Sequence, residues 1–167
     1  SDLIHPGARL RIPVAPTSGG GGSSGGSSSG GATGNTVHHV NQQELEILAR
    51  IVKGECPPDV PWEGKVAVAA VVLNRLERPG YPKSVAGVAL QPLQFSCYNS
   101  DVRDRLYYGA IPQWAWDAAR AAVSGQDPSR GATHYFNPYI VQPSWAEGMR
   151  FLRRIGHDGN TTHDFYR

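Results

Sequence analysis

Leu45-Glu46-Ile47-Leu48-Ala49-Arg50-Ile51-Val52-Lys53-Gly54-Glu55 reads as a helix that ends on a carboxyl group. Asn41 is placed to cap the first turn, and Glu44, three residues on, completes a capping box. Leu48, Ile51, Val52 and Glu55 lie at helical separations of three, four and seven, so the acid shares a stripe with residues that must face a core. An inward carboxyl at the negative end of a helix dipole has two reasons to keep its proton, burial and the dipole itself. Enzymes that need a general acid near neutral pH raise a glutamate in this way. The alternative is a surface glutamate that frays with the helix end or pairs with a neighbouring Arg or Lys.

Outward from this stretch, Pro57-Pro58-Asp59-Val60-Pro61 breaks the chain, and Asp59 or Pro61 opens the next helix. Trp62 to Leu76 is apolar nearly all round, the pattern of a buried helix, and its alanines let neighbours approach closely. Asn74 and Arg75 at its end are expected to cap and pair locally rather than reach a cleft. Ser84 can cap a short helix through Leu90, and Gln91 to Ser96 looks irregular. Pro112 starts a helix from Gln113 that stops at Gly125, and its mixed stripe of Trp116, Ala119, Arg120 and Val123 is that of a surface helix packing one side on the core. Trp114 and Trp116 are read as core anchors in preference to sugar-stacking platforms. From Thr133 the pattern changes to strand: Thr133 to Phe136, ended by Asn137-Pro138, then a hairpin of Arg150 to Ile155 and Thr162 to Tyr166 around Asp158-Gly159. A helical body with a small antiparallel sheet near the C-terminus is an α+β arrangement.

Three segments, Ala49 to Glu55, Gly64 to Arg75 and Gln91 to Ser96, resemble in order the cell wall hydrolase family of the spore cortex-lytic enzymes. Tyr135-Phe136-Asn137-Pro138, Ser144-Trp145, Ile155-Gly156 and His163-Asp164-Phe165-Tyr166 continue the resemblance, which covers about residues 41 to 167. One departure is Cys56, where many relatives carry Ala. The resemblance implies a lysozyme-like, lytic-transglycosylase-type domain in which Glu55 is the catalytic acid. It also implies that Gln94, Phe95, Tyr135, Asn137, Ser144 and Trp145 hold the glycan, with Tyr135 and Asn137 the better candidates and Trp145 equally suited to a core. The substrate would be peptidoglycan, spore cortex in the nearest relatives, cut between muramic acid and N-acetylglucosamine to leave 1,6-anhydromuramoyl ends. Such an enzyme needs no cofactor or metal, is expected as a monomer, and works secreted or in the cell envelope, at the cortex or outer face of the inner membrane of a spore.

Glycosidases commonly pair an acid with a second carboxylate. Asp59 and Glu63 sit where capping explains them, and Asp101, Asp104 and Asp117 lie among surface residues, so no partner for Glu55 is visible. Three other functions remain to be weighed: a hydrolytic muramidase of the vegetative wall, a non-catalytic glycan-binding module, and a zinc amidase built on His134, His157 and His163. The spacing of those histidines matches no recognised ligand set.

The N-terminal quarter is of different character. Residues 1 to 16, with Pro6-Gly7-Ala8-Arg9-Leu10-Arg11-Ile12-Pro13, resemble the last strand of a lysin motif (LysM), a sugar-binding module of cell-wall enzymes, too short here to bury a core. Residues 17 to 40, almost wholly Gly and Ser as far as Gly34, read as a flexible linker with an end-to-end distance of roughly 20–25 Å. The adjacent His38 and His39 are read as solvated. That leaves 41 to 167 as the catalytic domain, and the start within a module is expected to mark a piece of a longer protein.

Sixteen Lys and Arg against 14 Asp and Glu give a net charge of +2, without the concentrated basic face that nucleic-acid binding requires. No apolar run reaches the ~20 residues that span a bilayer, and no secretion signal is visible in these residues. Cys56 and Cys97 flank the two most functional-looking segments. A bridge between them would be worth roughly 4 kcal/mol by loop-closure entropy; two buried thiols or a nucleophile are the other choices.

Overall fold

The computed structural model describes residues 37–91 and 109–167. The LysM-like segment, nearly all of the linker, and Gln94, Phe95, Cys97, Asp101 and Asp104 lie outside the described residues.

Helix α1 spans Gln42–Glu55 and has the capping box expected of it. The Glu44 backbone N–H donates to Asn41 Oδ1 at 2.9 Å, and the Asn41 N–H donates to Glu44 Oε2 at 3.1 Å. Leu48, Ile51 and Val52 have no exposed surface, each contributing about 1.5–3 kcal/mol by burial. Helix α2, Trp62–Leu76, is buried without interruption from Gly64 to Leu73 and forms the hub that α1 packs against. Helix α3, Val85–Ala89, is capped by Ser84, whose hydroxyl accepts from the Gly87 N–H at 3.0 Å. Helix α4, Gln113–Val123, packs on α1 and α2.

The buried face of α4 is Ala115, Ala118, Ala119 and Ala122, so of the expected stripe of Trp116, Ala119, Arg120 and Val123 only Ala119 is buried. Small side chains bring the helix axis close to its neighbours, and the larger ones are turned outward. Trp114 and Trp116 are half-buried and carry cations: Lys65 Nζ is 4.5 Å from the Trp114 ring centre, and the Arg120 guanidinium 5.6 Å from that of Trp116. His38 is likewise not solvated. Its N–H donates to the Val123 carbonyl at 2.9 Å, and its ring lies 3.8 Å from Glu77, whereas His39 is exposed.

Three short strands complete the described residues: β1 His134–Phe136, β2 Phe151–Ile155 and β3 His163–Tyr166. They form an antiparallel sheet ordered β1-β3-β2, so the last strand in sequence is the middle one in space. Tyr135 pairs with Phe165, and Ile155 with His163. Ile155 and Phe165 join Ala67 and Val71 of α2 in one apolar cluster with Ala132, and Tyr135 packs against it. Between β2 and β3 the chain turns at Gly156 with φ of +110°, where a Cβ would stand 2.5 Å from the Thr161 carbonyl oxygen.

Asn74 and Arg75 reach far along the chain. The Asn74 amide donates to Asp127 Oδ2 at 3.0 Å and to the Ala132 carbonyl at 2.9 Å, and Arg75 Nε donates to the Thr133 carbonyl at 2.7 Å. The end of α2 thereby holds the loop that delivers β1. No described helix is long and apolar enough to cross a membrane.

Candidate active site

Glu55 is the last residue of α1, half-buried, where the apolar stripe runs out. The next residue, Cys56, leaves the helix with extended backbone and returns its N–H to the Val52 carbonyl at 2.9 Å. Its side chain is a buried free thiol, one of the three states that its sequence position left open. Burial, then the charge of Glu55, push that thiol well above its ordinary range, so Cys56 is a poor nucleophile.

Two side chains from the sheet meet the end of α1. Tyr135 points from β1 toward the helices, and its hydroxyl is buried without a hydrogen bond of full geometry. What faces it is the Glu55 carboxyl. Burial foremost, then the charge of Glu55 and of Cys56, and the Glu55 oxygens as acceptors, hold the Tyr135 proton well above the usual phenol range, against the opposing charge of Arg75. Tyr135 therefore stays a neutral donor next to the acid. His163 comes from β3 on the same sheet face, its ring edge-on to Tyr135 with centroids 5.4 Å apart. Burial pushes this imidazole down to about 4 against the opposing influence of the Glu55 backbone and the nearby charge of Asp164, so the ring is neutral at physiological pH.

The other residues expected to bind glycan fall elsewhere. Asn137 is spent on its own loop: its amide donates to the Gly159 carbonyl at 2.8 Å and its Oδ1 accepts from the Tyr139 N–H at 2.9 Å. Ser144 and Trp145 open a 3-10 turn, Ser144–Gly148. Trp145 lies over the opposite sheet face, against His134, Phe136 and Tyr166, with ring centroids 5.0, 5.5 and 6.0 Å away. It is 40% exposed, so it is neither core nor beside Tyr135. Phe151 extends the same aromatic surface through a 5.5 Å contact with Tyr166.

His163 was not among the expected site residues, although the alternation of β3 carries the signal, placing it with Phe165 on the inward face. Arg75, buried beside Tyr135 and His134, was expected to pair locally; its charge acts on both. Several described carboxylates are committed away from Glu55. Glu63 pairs with Arg153 at 2.7 Å, Asp164 receives two hydrogen bonds from Arg154 at 2.7 and 2.9 Å, Asp127 serves the Asn74 network, and Asp117 is bonded to Gln113 at 2.9 Å. Asp59 is exposed. Among the described residues no three His, Cys, Asp or Glu side chains converge as a metal ion would need.

Comparisons with known proteins bear on the whole arrangement. The chain is 40% identical over 116 residues to the spore cortex-lytic enzyme of Bacillus subtilis, an overlap of 70% of this chain and 36% of that protein. It thus spans about a third of the length of the curated relatives it matches. Its fold is similar to the catalytic domain of the germination-specific lytic transglycosylase SleB from Bacillus anthracis, with a TM-score of 0.66 at 32% identity, covering 77% of this chain and 97% of that one. The catalytic domain of the Bacillus cereus SleB protein is similar to the same degree, with a TM-score of 0.64 at 32% identity, covering 83% of this chain and 100% of that one. The lysozyme-like, mainly helical class expected from sequence agrees with both. The profile of one family, described as cell wall hydrolase, matches residues 60–166, from just after the Glu55 turn through the last strand. With that profile covering well over half of its length, the chain belongs to the cell wall hydrolase family.

Proposed function

We propose that this domain cleaves the glycan strands of peptidoglycan, using Glu55 as its one acid and base. The observation that carries this is the meeting of Glu55, at the end of the buried stripe of α1, with the Tyr135 hydroxyl. Among the described residues whose charges act on that hydroxyl, Glu55 is the only carboxylate. A lone acid suits a reaction whose nucleophile belongs to the substrate. Glu55 gives its proton to the oxygen between muramic acid and N-acetylglucosamine as positive charge grows on the muramoyl ring. As a carboxylate it then takes the proton of the same residue's C6 hydroxyl, and that oxygen closes on C1. The bond to the leaving sugar breaks, a 1,6-anhydromuramoyl end forms, and no water is consumed. Tyr135, held neutral, is placed to donate to the carboxylate formed midway.

Spore cortex is the proposed substrate, supported by the names of the curated relatives and of the SleB catalytic domains. The domain would work there as a monomer on the outer side of the membrane, with 1–16 as the end of a wall-binding module and 17–40 as the tether. Gln94 and Phe95 are proposed to line the glycan path, and Ser144 and Trp145 to meet the strand farther from Glu55.

Glu55→Gln keeps the shape of the side chain and removes its transferable proton. Turnover of cortex fragments is expected to fall at least ~1,000-fold with the melting temperature unchanged, in keeping with the loss of a group that acts as both acid and base. Mass spectrometry of the wild-type products should show anhydro ends. Turnover retained by Glu55→Gln would reject the assignment, and ends heavier by one water would reject the transglycosylase step.

A further inference from the structure

The outer face of the sheet, away from Tyr135 and Phe165, carries side chains that the reaction does not use. Residues directly opposite one another on paired strands share a face. The register therefore sets His134, Tyr166 and Phe151 in one row across the three strands, and Phe136, Asp164 and Arg154 in the next. Trp145 lies over the β1 end of both rows. Phe136 and Tyr166 are stacked on each other at 5.3 Å and 18°, and the indole stands at 86° to one and 90° to the other, 5.5 and 6.0 Å away. Rings meeting edge to edge would stand farther apart, so Trp145 lays one ring face across the edges of the pair and turns the other outward. It is 40% exposed, and Phe151, edge-on to Tyr166, is 51% exposed.

In the second row Arg154 donates from Nε and Nη2 to the two oxygens of Asp164. The guanidinium is the outer partner, 50% exposed against 6% for the carboxylate beneath it. Its Nη1 has no hydrogen-bond partner among the described residues, so a cation fixed in direction keeps those donors unused. Trp145 and Phe151 each leave on the order of 100 Å² open, far less than the ~800 Å² a side of a stable protein interface. Arg154 is the one guanidinium in the two rows, whereas an anionic bilayer holds a protein through clusters of Lys and Arg. What fits is a small ring with an acid nearby. The C–H face of a pyranose rests on the negative face of an aromatic ring, and a guanidinium takes a carboxylate. A muramoyl residue offers both, its sugar ring and, through its lactyl group, an acidic peptide.

We infer that this face is a second, non-catalytic subsite for peptidoglycan, with Trp145 and Phe151 stacking sugar rings of the strand and Arg154 taking a carboxylate of its stem peptide. It rests on the reading above that peptidoglycan is the substrate.

The test measures equilibrium binding by the full chain carrying Glu55→Gln, to soluble glycan chains with their stem peptides and to the same chains stripped of peptide. Adding Trp145→Ala or Phe151→Ala is expected to weaken both ~3–10-fold. Arg154→Gln together with Asp164→Asn removes both charges, so net charge is unchanged and no buried carboxylate is left bare. This paired variant should weaken the peptide-bearing chains ~3–10-fold and the stripped chains less than about twofold. Melting curves identify the folded variants; if Trp145→Ala does not fold, Phe151→Ala and the paired variant decide. Affinities unchanged in the folded variants overturn the inference, as does an equal loss on both kinds of chain in the paired variant. Effects confined to phosphatidylglycerol vesicles, or to self-association in sedimentation, overturn it too, by making the face a membrane or dimer contact. Failure of the Glu55→Gln chain to bind either kind of glycan would reject the substrate itself, whereas turnover by that chain would reject only the acid.

Discussion

Acidifying the protein should destabilise it through His163. The buried ring titrates near 4 when folded and near 6.5 when unfolded. Between those values the unfolded chain binds the extra proton and the folded chain refuses it, so stability rises with pH and is lost as the pH falls from 6.5 toward 4. That gap corresponds to about 3 kcal/mol, most of it expressed by about pH 4.5 and equivalent to on the order of 10 °C in Tm for a domain of this size. Urea unfolding at about pH 7 and about pH 4.5 measures the loss, and the same pair of measurements on His163→Gln removes the contribution of this ring while leaving the carboxylates and His134 to titrate as before. The wild type should lose about 2–3 kcal/mol more than the variant across that interval. Equal losses would mean that the ring is hydrated, and would refute the burial from which the magnitude is derived.

Three further outcomes follow from the same structure. Stability should fall again from about pH 9 upward, because the unfolded chain releases the Cys56 and Tyr135 protons near 9.0 and 10.0 while the folded chain holds both. Tyr135→Phe should flatten the upper part of that limb in melting curves, and an unchanged limb would place the hydroxyl in water. Gly156→Ala should destabilise by about 2–4 kcal/mol in chemical denaturation, since it adds a clash with the Thr161 carbonyl to the cost of a positive φ; a neutral result would mean a different turn between β2 and β3. Asn41→Ala should cost about 1 kcal/mol by removing half of the α1 capping box, read from the same denaturation curves, and no change would show that the cap is not formed in solution.

What could be read along the chain was what local chemistry decides. The start of α1 follows from Asn41 and Glu44, the burial of α2 from an apolar run with no polar face, the α3 cap from Ser84, and the hairpin from two alternating segments around Asp158-Gly159. Glu55 was legible because helical spacing alone puts it on the stripe of Leu48 and Ile51. Illegible were the features set by distant contacts. That β3 inserts between β1 and β2 sends Tyr135 and His163 to one face and Trp145 to the other, and no periodicity within a four-residue strand announces its neighbours. Of the mixed stripe expected on α4 only Ala119 is buried, because close helix approach selects the small face Ala115, Ala118, Ala119 and Ala122. Asn137, expected to hold sugar, also bonds two backbone groups around its own loop, as an asparagine before proline in a tight turn commonly does.

The order of the strands has a consequence for a polypeptide made from its N-terminus onward. Glu55 and Tyr135 leave the ribosome well before residues 163–166, yet the strand that binds β1 and the ring that packs edge-on against Tyr135 both belong to that closing segment. A nascent or prematurely terminated chain thus carries Glu55 and Tyr135 without the strand that seats β1, and their surroundings are complete only when translation of the whole domain is done.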